Sequence, residues 1–298
     1  MCFRAWSFRS RAIAMLLLAT LSAGAGDLMK DSPVTFPEKG SLPAKYLPDV
    51  QTDHAVPEPE YTIFATPERS LAQITRIQAE MVAGNFRPPQ ADWTYLRRTQ
   101  RVLREGGDLH VLGFGDSIVN DTMRSGWLAK LAEAYPRARI RGTVYVRGGG
   151  GCQHYREANR IVNHIVPRRP DLVFIGGISQ RDPEFIRECI QTLRTHLPEV
   201  EILLASGTFG SKADPRDAGE LAMAPYSGSG SYGQKLRQIA AEEHCAYLDM
   251  TTPWAEYLNS AHVHPHIFYR DRVHASEFGE QILSKILMAF FGAHGPQD

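Results

Sequence analysis

From Leu109 onward, short apolar runs alternate with amphipathic helical segments. That alternation restricts the chain to an α/β fold built on a parallel sheet, because each helix must cross back over the sheet to reach the next strand. The strand candidates are 109–114, 139–146, 172–175, 202–205 and 247–249. Helical periodicity marks 121–135, with Trp127, Leu128, Leu131 and Tyr135 on one face, then 155–165, 185–197, 232–243 and 278–290. The expected architecture is a three-layer α/β/α sandwich with a parallel sheet. In such sheets functional groups collect at the carboxyl ends of the strands.

The 298 residues are organised unevenly. Arg4, Arg9 and Arg11 precede a short apolar run, 12–21, and Ala23-Gly24-Ala25 has the form of a signal-peptidase site. Residues 1–25 are therefore expected to direct export, and the protein to be secreted or periplasmic. The apolar run is shorter than the ~20 residues that span a bilayer, so no stable membrane insertion is expected after signal removal. Residues 26–65 carry six prolines and read as an extended segment. Residues 66–107 read as a helical N-terminal extension. Its first helix is expected to be capped by Thr66, to take Pro67 into its first turn and to end by Ala83. A second helix is expected after Pro88-Pro89, closed by Gly106-Gly107. The main domain is expected over 108–298.

Lys plus Arg and Asp plus Glu both number 33, so no general electrostatic pull toward nucleic acid is expected. Cys2 falls in the signal. Cys152, Cys189 and Cys245 remain, an odd number that allows one disulfide of unspecified pairing and one thiol. His262, His264 and His266 alternate, but Pro265 interrupts them and no acidic cluster accompanies them, so no metal is expected.

Four segments fall at expected strand ends. Gly113-Phe114-Gly115-Asp116-Ser117 places a serine where a strand turns into a helix, whose amides and dipole suit an oxyanion. Gly148 to Gly151 form a run of four glycines that fits neither a phosphate loop nor a dinucleotide fingerprint. Gly176-Gly177-Ile178-Ser179-Gln180 follows the third strand. Asp271-Arg272-Val273-His274 precedes the last helix, and its spacing lets the carboxylate hold one imidazole nitrogen while the other takes a serine proton.

In this order and placement the four segments resemble the blocks of the SGNH (GDSL-type) hydrolase superfamily, from Leu109 to the C-terminus. The resemblance implies a flavodoxin-like sheet and a catalytic triad of Ser117, Asp271 and His274. It implies oxyanion donors at the Ser117 amide and at Gly151 or its neighbour Gly150, and it implies no cofactor. An α/β-hydrolase elbow is disfavoured, since Val119 stands where its last glycine belongs. The family's third block normally contributes an asparagine, which this chain lacks after Gly176-Gly177. The third oxyanion donor is then expected from Ser179 or Gln180, with Ser179 first by position and Asn120 or Gln153 as reserves. The implied activity is ester hydrolysis through an acyl-enzyme, with acetyl esters on carbohydrate as the leading substrate. An acyltransferase on the same triad and a catalytically silent binding protein are the alternatives.

Overall fold

The computed structural model describes residues 62–63, 69–180, 182–207, 217, 219, 228, 230–271 and 273–292. The expected signal and most of the proline-rich segment lie outside these residues, as do Thr66-Pro67, Arg272 and most of residues 208–229.

Five parallel strands form the sheet: β2 (Gly107–Gly115), β3 (Ala138–Arg147), β4 (Leu172–Ile175), β5 (Glu201–Ala205) and β6 (Ala246–Leu248). A two-residue strand β1 (Thr62–Ile63) pairs antiparallel with the outer side of β3. The spatial order is β1-β3-β2-β4-β5-β6. The chain therefore winds to one side of β2 first and then to the other. That places the topological switch at the carboxyl end of β2, where a doubly wound sheet opens a crevice.

The period-2 alternation of the strands sorts their side chains into two cores. Leu109, Val111, Leu172, Phe174, Leu203, Ala205, Ala246 and Leu248 face one layer. Leu112, Phe114, Val173, Ile175, Ile202 and Leu204 face the other. The first layer holds α2 (Arg97–Glu105), α3 (Ser117–Arg124), α4 (Trp127–Ala134), α8 (Thr251–Ser260) and α9 (Glu277–Gly292). The second holds α5 (Cys152–Tyr155), α6 (Pro183–His196) and α7 (Ser231–Glu242). The three-layer α/β/α architecture matches the sequence expectation.

Helix boundaries differ from expectation where local chemistry overrides apolar period. Helix α1 (Leu71–Glu80) is capped by Ser70 rather than Thr66, because Ser70 and Gln73 form a reciprocal capping box. Residues 88–96 are not helical; the second helix, α2, starts only at Arg97. The expected 121–135 helix is two helices, since Gly126 adopts a left-handed backbone (φ 80°) that ends one and opens the next. Residues 155–165 do not continue one α-helix: α5 gives way to a π-turn over Ile161–Ile165. Helix α8 was not anticipated. Among the described residues no helix is long and apolar enough to cross a membrane.

The N-terminal helices share the main core. Ile74 and Ile77 of α1 are buried, and Gln78 donates to Gln281 of α9 at 3.0 Å. The Trp93 ring lies 5.8 Å from that of Phe291.

Candidate active site

Strand β2 ends at Gly115, and Asp116 turns the chain into α3 as its N-cap. One carboxylate oxygen of Asp116 accepts from the Ile118 amide at 2.9 Å. Ser117 is thereby the first residue of α3, so its amide has no intrahelical acceptor and points out of the helix end. The other Asp116 oxygen accepts from the amides of Ile178 and Ser179, both at 2.7 Å. One buried carboxylate thus fastens the Ser117 turn to the loop after β4. Burial pushes the Asp116 carboxyl above the usual range, against the pull of the hydrogen bonds from Ser179, Ile178 and Ile118. Gly177 makes this contact possible. Its φ is 98°, and a Cβ there would stand 2.3 Å from Asp116 Oδ1.

The second half of the site comes from the loop before α9. Asp271 Oδ1 accepts from the amides of Val273 and His274, both at 2.8 Å. Its Oδ2 lies 2.7 Å from His274 Nδ1, and His274 Nε2 lies 2.8 Å from Ser117 Oγ. Asp271 is buried, which alone would raise its pKa. The hydrogen bonds and charge of His274, with the two amides, outweigh this and bring it down to about 2. The carboxylate is therefore ionised at any ordinary pH. It accepts from Nδ1–H, which leaves the Nε2 lone pair directed at the serine hydroxyl.

The glycine run after β3 leads into α5 at Gly151. A Cβ on Gly151 would stand 2.6 Å from the Ser179 carbonyl oxygen and 2.7 Å from Gln180 Oε1, so the two loops are in contact. Gln180 clasps them: its Oε1 accepts from the Cys152 amide at 2.8 Å and its Nε2 donates to the Gly176 carbonyl at 3.1 Å. The Tyr155 hydroxyl donates to the Gly115 carbonyl at 2.6 Å, which ties α5 to the Ser117 turn. The Gly115, Gly151 and Gly176 loops therefore form one hydrogen-bonded unit at the carboxyl end of the sheet.

No protein-family model matches the sequence, and no curated protein does either. Among solved structures, the chain is similar to a two-domain esterase active on acetylated mannans, with a TM-score of 0.54 and 14% identity over 70% of this chain. The chain spans 55% of that protein's length. It is also similar, with a TM-score of 0.47, to a catalytic mutant of the acetylxylan esterase Axe2 from Geobacillus stearothermophilus, at 22% identity over 62% of this chain and 94% of that one. A protein assigned as a GDSL-like lipase, from Parabacteroides merdae, aligns at a TM-score of 0.49 and 14% identity over 62% of this chain and 96% of that one. The chain has an SGNH/GDSL hydrolase-like fold.

On that fold the polar groups of the third block take part in contacts between the loops. Ser179 turns its amide to Asp116 at 2.7 Å, and its side chain is among the groups that pull the pKa of that carboxylate down. Gln180 is spent on Cys152 and Gly176. Gln153 donates from Nε2 to the Ser179 carbonyl at 2.8 Å. Asn120 is buried on α3, and its Oδ1 has no hydrogen-bond partner among the described residues. The glycine run also borders a recess of 430 Å³ that Arg147, His154, Arg156 and Phe185 help to line. A larger recess of 640 Å³, along β6, is lined by none of Ser117, Asp271 and His274.

Cys152, Cys189 and Cys245 are buried free thiols. Among the described residues no group of three or more His, Cys, Asp or Glu could hold a metal ion. His264 Nδ1 accepts from the His266 amide at 3.3 Å, which uses one of its nitrogens inside the turn.

Proposed function

We propose that the protein is a serine esterase that hydrolyses ester bonds through an acyl-enzyme, with acetyl esters on carbohydrate as its substrates. The observation that carries this reading is the Ser117–His274–Asp271 chain of contacts at 2.8 and 2.7 Å. Ser117 Oγ attacks the ester carbonyl while its proton passes to His274 Nε2. Asp271 balances the imidazolium without taking a proton itself. The amides of Ser117 and Gly151 hold the oxyanion. His274 then returns the proton to the leaving alcohol, which leaves the acyl group on Ser117. A water molecule, deprotonated by His274, attacks that ester and frees the acid and Ser117.

The carbohydrate substrate is supported by the likeness in fold to an esterase active on acetylated mannans. The export signal read at residues 1–25 suits a polysaccharide met outside the cytoplasm. The test pairs a fluorophosphonate probe with acetylated mannan and acetylated xylan. Covalent labelling at Ser117 and release of acetate support the reading. Failure of the probe to label native protein rules out an activated serine, and acetyl transfer to an added sugar in place of release identifies a transferase.

A further inference from the structure

The triad's geometry depends on how the 270–275 loop sits against α3, because Ser117 belongs to one and His274 to the other. Four residues after Ser117, one turn along α3, stands Asp121, which is fully buried. Its Oδ2 accepts from the Ala275 amide at 3.0 Å, and its Oδ1 from Arg270 Nη2 at 2.7 Å. Arg270 grips the same loop from inside. Its amide donates to the His274 carbonyl and its Nη1 to the Ala275 carbonyl, each at 3.0 Å. Every one of these bonds ends on His274, on its neighbour, or on the helix that carries the nucleophile.

We propose that Asp121, acting with Arg270, is the positioning residue that sets His274 at reacting distance from Ser117. The proposal rests on the triad reading above. Arg270 is the hinge pin of the loop and Asp121 its anchor on α3. Glu280 of α9 lies 3.7 Å from Arg270 Nη1 and is itself paired with Arg69 at 2.6 Å, so the guanidinium is held from its other side. The cluster of two carboxylates and two guanidiniums is balanced in charge, as buried ions require. A displacement of the imidazole by about 1 Å is enough to lower a rate ~100-fold.

Asp121→Asn keeps the shape of the side chain and removes its charge, so Arg270 loses its anchor. With an activated ester, kcat should fall ~100-fold with KM unchanged, and fluorophosphonate labelling of Ser117 should slow by a like factor. Tyr135→Phe is the control for stability. It removes the bond from the Tyr135 hydroxyl to the Phe291 carbonyl at 2.9 Å, outside the cluster and the loop, and it should lower the melting temperature while kcat, measured well below melting, stays within about twofold. Wild-type kcat in Asp121→Asn overturns the proposal. If Asp121→Asn does not fold, Arg270→Lys decides. It keeps the charge but loses the fork that serves Asp121 and the Ala275 carbonyl together, so kcat should drop ~10-fold at constant KM. Wild-type turnover in that variant also overturns the proposal. If wild-type protein shows no Ser117-dependent turnover or labelling, the triad reading fails and this one falls with it.

Discussion

His274 Nε2 stands 2.8 Å from Ser117 Oγ although 157 residues separate them in the chain. The two loops meet there because β2 lies inside the sheet and α9 packs against α3 and α4, the helices that follow β2. A pair joined in this way should act as one unit. Ser117→Ala and His274→Ala are each expected to lower kcat by ~10⁴-fold or more, and the double variant to lose little beyond either. Additive losses in a steady-state cycle would mean that the two side chains do not work together.

Asp271 gives a prediction in pH. Its folded pKa of about 2 lies below the ~3.9 of an unfolded aspartate. The sign is therefore that of a depressed acid: the group stabilises the fold fully above about pH 4 and loses that contribution as pH falls toward 2. Melting temperatures of wild type and Asp271→Asn should differ by a constant amount from pH 5 to 7 and converge below about pH 3. In the active range the same variant should lose ~10⁴-fold in kcat, since an amide in place of the carboxylate favours the wrong imidazole tautomer. A gap in melting temperature that persists unchanged at pH 2 would contradict the assigned pKa.

The parallel sheet was legible because each strand is a short apolar run between helical periods. Leu172–Ile175 is found where the pattern put it, to the residue. The four loops at strand ends were legible for the same reason, since their glycines and polar residues interrupt those runs. What lay hidden are the contacts between loops. Gln180 reaches Cys152 across 28 residues and Asp121 reaches Ala275 across 154. Nothing local in either sequence marks such a partner, because a buried glutamine or aspartate reads like a solvated one until the fold closes over it. The break of α3 from α4 was hidden differently. Trp127 and Leu131 keep the apolar period going past Gly126, and the period alone did not show the left-handed turn.

Gly177 is expected to tolerate no side chain. An alanine there must adopt φ near 98° and push its Cβ against Asp116, whose carboxylate is held by three amides. Backbone strain of that kind costs about 1–3 kcal/mol by itself. Displacing the buried carboxylate adds the loss of charge-assisted hydrogen bonds, so Gly177→Ala should lower unfolding free energy by ~3 kcal/mol or more. Urea denaturation measures this directly, and a change under ~1 kcal/mol would show that the Asp116 clasp does not hold the two loops.

The last prediction separates two roles for the third block. The sequence made Ser179 the expected oxyanion donor, whereas in the structure its amide donates to Asp116, a buried carboxylate, and its side chain helps to hold the pKa of that carboxylate down. A hydroxyl has one proton, and a proton turned toward Asp116 is not offered to the oxyanion. Ser179→Ala should therefore reduce stability by ~1–2 kcal/mol, the worth of one bond to a charged group, and leave kcat within a few-fold. Gln180→Ala should behave differently. Gln180 accepts from the Cys152 amide, immediately after Gly151, and donates to Gly176. Its removal leaves a buried N–H and a buried carbonyl without partners, so stability should fall by ~2–3 kcal/mol. Under the proposed mechanism turnover should fall ~10-fold as well, because the turn that carries the Gly151 amide loses its clasp at Cys152. Melting temperature and kcat, measured on both variants, decide between the roles. A ~100-fold fall in kcat for Ser179→Ala at an unchanged melting temperature would return its hydroxyl to the oxyanion hole and place the Asp116 bond second.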